Sequence, residues 1–124
     1  MGWSRWLGSR HKGPRYICNC TYDDKSSENS LFDLWSFAHI FWGMIYSIPV
    51  FYLESLAHTF YITISLAIAY EIVENSAFGR RLAAFICCSK LYDGDNFWNS
   101  VCDVFSCLVG WLLMIYVKMF IIAH

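Results

Sequence analysis

Glu71, Glu74 and Asn75 stand three and four residues apart, and Asp95, Asn99 and Asp103 follow one another at intervals of four. On a helix, each spacing puts its set on a single stripe. His39 is the histidine of the first long apolar run. Carboxylates, amides and an imidazole set inside or beside apolar runs offer three kinds of chemistry. They can hydrogen-bond one another and tie helices together. They can bind a metal ion or a lipid head group. They can also be catalytic, with His39, Glu71, Glu74 and Asp103 as general acids and bases. Residues alone leave these three open.

Plainer readings cover part of the set. An Asp or Asn at a helix start caps free backbone N–H groups, which accounts for Asp95 and Asn96. His39 lies between Trp35 and Trp42 and reads first as a packed, hydrogen-bonded residue. Capping does not account for Asp103, which is too deep, nor for Glu71, about a turn inside its run. Asp93-Gly94-Asp95 lacks the ligand spacing of an EF-hand loop. Glu71-x-x-Glu74 is not the Glu-x-x-His of di-iron bundles. The sequence holds no serine elbow, P-loop or HExxH. No metal ligand set and no cofactor are therefore expected.

The elements that must position these residues are apolar helices. The chain is 57% hydrophobic and 15% charged over 124 residues, against about 45–50% and about 25% in soluble domains. A chain this small cannot hide that much apolar surface from water, so the fold class expected is an all-α integral membrane protein. Residues 1–30 form a polar arm, basic and then acidic, without the apolar core of a secretory signal. Residues 31–124 form one membrane domain, with spans at about 34–53, 56–75 and 99–123. Between the last two, residues 76–90 set Arg80 and Arg81 against an Ala/Phe/Ile face, the pattern of an interfacial amphipathic helix. Pro49 is tolerable near the end of a membrane helix, and Lys118 is expected to snorkel to nearby head groups.

Net charge is −1, which argues against a nucleic-acid partner, and eight of the nine Lys and Arg lie in residues 1–30 and 80–90. With three spans these two regions share one side, and the positive-inside rule makes it the cytoplasmic or matrix side. That topology brings His39, Glu71, Glu74, Asn75, Asp95, Asn99 and Asp103 to the same leaflet. Of the six cysteines, Cys102 and Cys107 read as small hydrophobes in a helix. A bridge or metal joining Cys18 and Cys20 to Cys87 and Cys88 stays open, although neither pair has zinc-ligand spacing.

SSENSLFDLWSFAHIFWG (26–43), AYEIVENSAF (69–78) and YDGDNFWNSVCDVFSCLVGWLL (92–113) resemble a family of small, uncharacterised inner-membrane proteins best represented in alphaproteobacteria. The family pattern runs SENS…SHxxHG, WExxEN, GDSxxNSxxD, and it is distantly similar to VanZ-type membrane proteins. The resemblance implies a polar set at His39, Gly43, Glu71, Glu74, Asn75, Gly94, Asp95, Asn99, Ser100 and Asp103. This sequence departs from the pattern at Ala38, Trp42, Tyr70 and Asn96, where the family has Ser, often a second His, Trp and Ser. The family supplies no reaction. It fits either a bacterial inner membrane or a mitochondrial inner membrane that inherited such a protein.

Taken together, the sequence favours a non-catalytic accessory or assembly subunit of a larger inner-membrane, respiratory-type complex. Its partners would be membrane lipids and other membrane subunits, and its polar cluster would tie the helices or hold lipid. The alternative is a membrane-embedded enzyme acting on lipid or isoprenoid phosphate head groups, with Arg80 and Arg81 near the phosphate.

Overall fold

A computed structural model describes residues 16–19, 30–86, 95 and 97–124. The described chain is mostly helical: strands β1 (Tyr16–Asn19) and β2 (Ser30–Asp33), then helices α1 (Leu34–Tyr46), α2 (Leu56–Glu74), α3 (Ala77–Ile86) and α4 (Phe97–Ala123). Cys20, Cys87 and Cys88, as well as Gly94 and Asn96, lie outside the described residues.

Two helices, α2 and α4, are long and apolar enough to cross a membrane. Most of their surface is not covered by the rest of the chain. What each helix buries is its small and polar stripe. In α2 that stripe is Thr59, Thr63, Ala67 and Glu71. In α4 it includes Asn99, Asp103, Ser106, Cys107 and Gly110, and in α1 it is Ser36, His39, Gly43 and Ser47 just beyond the helix end. Large apolar residues such as Phe37, Phe41, Tyr61, Phe105 and Tyr116 face outward. This inverts the arrangement of a water-soluble core and suits apolar surroundings.

The most extensive helix interface joins α1 to α4. Gly43 sits against the backbone of Cys107, and Gly110 against the carbonyl of Ile40 and the backbone of Met44. A Cβ at either glycine would collide with the facing main chain. Small residues at a crossing let two backbones approach closely, which is how helices gain packing where lipid removes the hydrophobic drive. Polar pairs lock the other interfaces. Ser47 and Thr63 hydroxyls meet at 3.1 Å between the end of α1 and α2, and Trp111 donates to Thr59 at 3.1 Å between α4 and α2.

The expected helix over 34–53 is not continuous. α1 ends at Tyr46, and the chain goes on as a 3-10 turn over Ile48–Phe51. Pro49 has no N–H to continue the α-helical ladder, and the Ser47 hydroxyl takes up the Gly43 carbonyl. At 13 residues, α1 alone is about 20 Å long, less than a hydrocarbon core of about 30 Å. Lys118 differs from expectation in the same place. Instead of only reaching outward, its Nζ donates to the carbonyls of Val50 at 2.6 Å and Leu53 at 3.3 Å. A cation on the free carbonyls of a helical end is favourable both as hydrogen bond and as charge.

The strands are a further difference, because nothing in the polar arm's composition announces them. β1 pairs with β2 in parallel, Tyr16 opposite Ser30 and Cys18 opposite Phe32. The Asn99 amide on α4 donates to the Leu31 carbonyl at 3.0 Å, which fixes β2 to α4.

Gly43→Ala should lower stability by about 1–3 kcal/mol, the cost of overpacking, and Gly43→Leu should abolish the native crossing. Denaturant unfolding in mixed micelles measures this; an unchanged midpoint for both variants would refute the close approach.

Candidate functional site

The end of α2 is where the site begins. Its last turns carry Glu71 and Glu74, and Asn75 closes the helix with its backbone N–H on the Glu71 carbonyl. Ser76 then starts α3, its hydroxyl accepting from the Gly79 N–H at 3.0 Å. Gly79 packs on the backbone of Val73 and Glu74, so a larger residue could not let α3 turn so tightly. The sharp turn leaves the Glu71 and Asn75 side chains facing α1 and the start of α4.

His39 projects from α1 into this corner and is 5% exposed. Its Nδ1 lies 3.5 Å from Glu71 Oε1, and its Nε2 lies 3.8 Å from Asp103 Oδ2 and 4.0 Å from Glu74 Oε2. The ring therefore stands between carboxylates from two different helices. Tyr70 packs edge-on against it at 5.6 Å. Asp103, 1% exposed, accepts a 2.6 Å hydrogen bond from the Ser36 hydroxyl, one turn before His39.

Asn75 is the second hub. Its Oδ1 accepts the Asp95 backbone N–H at 2.8 Å. Its Nδ2 faces four acceptors: the Glu71 carbonyl, Glu71 Oε2, Asp95 Oδ2 and Ser100 Oγ, at 3.1 to 3.4 Å. An amide nitrogen has only two protons to give, so these acceptors compete. Glu71 Oε1, in a residue 5% exposed, accepts no hydrogen bond at all.

Each residue expected at the site has a definite place. His39, Glu71, Glu74, Asn75, Asp95 and Asp103 converge. Asp95 does so from just before α4, since the helix starts at Phe97; the expected stripe of Asp95, Asn99 and Asp103 is helical only at its last two members. Asn99 is fully buried, but its amide serves β2. Arg80 is half-buried and Arg81 exposed, both in the first half of α3. Two contributors carried no strong sequence signal. Ser36 was detectable only as the residue three before His39, and Ser100 only by resemblance.

Among the described residues, two overlapping sets have ligand-type atoms within 4.8 Å of one another: His39, Glu71 and Glu74, and the buried Glu71, Asp95 and Asp103. A model of the family described as "Protein of unknown function (DUF2585)" matches residues 10–123. The chain belongs to that family. The match runs through every element that builds the site, from β1 to α4. No curated protein matches the chain, and no solved structure does.

Replacing Asn75 with Leu removes the donor shared by Glu71 and Asp95 and the acceptor of the Asp95 N–H. Each buried group left bare costs about 1–3 kcal/mol. Asn75→Leu is expected to lose at least about 2 kcal/mol in mixed-micelle unfolding; a loss within experimental error would deny Asn75 its role as the hub.

Proposed function

We propose that this chain is a polytopic membrane protein that acts as a membrane-embedded enzyme on the phosphate head groups of lipids or isoprenoids. The observation that carries this reading is His39, buried with one ring nitrogen toward Glu71 and the other toward Asp103. Between carboxylates an imidazolium has an acceptor on each side, and a proton it gives up has a carboxylate to go to, the arrangement a general acid/base needs. Glu74 stands at the edge of the same ring. Arg80 and Arg81 supply positive charge for a phosphate one to two turns past Glu74.

In this reading the chain crosses the membrane three times. α1 with its 3-10 continuation measures about 27 Å from rises of about 1.5 and 2.0 Å per residue, close to one hydrocarbon core. α3 lies in the interface, with Phe78, Leu82 and Phe85 exposed on one stripe. The cluster then sits at head-group depth on the side of the N-terminus and residues 76–98, the cytoplasmic or matrix side of an inner membrane. An inner-membrane address is also what the resemblance in the sequence to alphaproteobacterial inner-membrane proteins implies.

The second reading is the non-catalytic accessory subunit of a larger, respiratory-type complex, with the cluster as glue. The hydrogen bonds from Ser36 to Asp103, between Ser47 and Thr63, and from Trp111 to Thr59 favour it, because each ties two helices. Neutral interhelical bonds are worth about 0.6 kcal/mol on average in lipid. A carboxylate in the membrane costs about 3 kcal/mol by insertion scales. Glue alone thus accounts for the serines and threonines better than for four acids.

With purified protein in nanodiscs and a panel of phosphorylated lipids, Glu71→Gln and Asp103→Asn should each lower turnover at least about 100-fold, in the range of general acid/base contributions, while the protein stays folded. Wild-type-like turnover in both variants would sink the enzymatic reading. The accessory reading instead predicts a native-gel band well above the monomer in mild detergent, and a monomer alone would sink it.

A further inference from the structure

We propose that Glu71, Asp95 and Asp103 bind one hard divalent cation, of the Mg²⁺ or Mn²⁺ class. This deepens the head-group reading and, as an assignment of that site's cofactor, rests on it. The cation site itself stands on separate observations.

The first is the geometry of the acids. One ligand-type oxygen from each of the three carboxylates lies within 4.8 Å of the others, and all three residues are buried. Oxygens bound to one cation at about 2.1 Å are separated by at most about twice that distance. The three oxygens thus need only a small adjustment to share one centre. An all-carboxylate set selects a hard ion over a soft one.

The second is an unbonded oxygen in the middle of the set. Glu71 is 5% exposed, and its Oε1 accepts no hydrogen bond. His39 Nδ1 is 3.5 Å from it but is not hydrogen-bonded to it. Asn75 Nδ2 divides two protons among four acceptors, two of them Glu71 Oε2 and Asp95 Oδ2. A buried carboxylate oxygen left this way is costly, and a cation satisfies several such lone pairs at once.

The third is the sign of the charge a cation would bring. A divalent ion held by the acids would present positive charge to an anionic head group.

The test is Mn²⁺ binding to the full chain in a maltoside detergent, read by electron paramagnetic resonance with Mg²⁺ competition. One Mn²⁺ per chain, displaced by Mg²⁺, is expected. Glu71→Gln and Asp103→Asn should each weaken binding at least tenfold, while Glu54→Gln, exposed far along the chain from the site, should leave it unchanged. If either variant fails to fold, the other and the wild-type stoichiometry still decide. Absence of saturable binding to the folded wild type at millimolar Mn²⁺ overturns the proposal, as does wild-type affinity in both variants. Binding without turnover of any phosphorylated lipid keeps the cation site and rejects the enzyme. Turnover without binding keeps the enzyme and rejects the cation.

Discussion

A polar group in hydrocarbon has to find its partner within the protein, and the arrangement of this chain, with two helices long and apolar enough to cross a membrane, fits that constraint. Each helix turns its small and polar stripe inward and leaves its apolar side chains outside. The helices then meet through glycines, serines and threonines rather than leucines. Gly43 and Gly110 let α1 and α4 touch backbone to backbone. Where the α-helical ladder of the first apolar run stops before Pro49, carbonyls are freed, and Lys118 reaches across from α4 to two of them. The broken helix and the lysine inside an apolar helix are two sides of one solution.

The two ends of the bundle differ in the polar groups they gather. At the 3-10 turn, donors and acceptors match: a lysine for two carbonyls, a serine for another. At the other end, carboxylates arrive from α2, from Asp95 just before α4 and from α4 itself, and Ser36, Asn75 and His39 stand among them. The neutral pairs in the bundle are each worth well under the insertion cost of one acid. Helix association alone would be better served by the threonines and glycines already present.

Much of this was legible in the sequence, and the parts that were not have physical reasons. Spacing and chain direction together predicted that His39, Glu71, Glu74, Asn75 and Asp103 would meet, and their side chains do converge, because helical stripes depend only on chain periodicity. The same reasoning could not see that Asp95 reaches the corner from outside the helix, since an N-terminal boundary depends on local backbone geometry. It put Asn99 with the acids because the stripe was right; the carbonyl of Leu31, which claims its amide, belongs to a strand pair that composition does not announce. Lys118 was read by its nearest membrane surface, whereas its partners lie more than sixty residues back along the chain. Ser36 went unnoticed because a serine in a helix is common, and only the carboxylate opposite gives it meaning.

Asn75 makes the site inseparable from the fold. The same side chain closes α2, holds the start of α4 through the Asp95 N–H, and divides its two protons among the acceptors of the corner. It cannot serve all of them at full strength. A ligand that took over the carboxylates would release Asn75 to bond the Glu71 carbonyl and Ser100 fully and would draw the end of α2 toward α4. Occupancy of the corner and packing of the helices would then be coupled through one amide, each stabilising the other to the same extent.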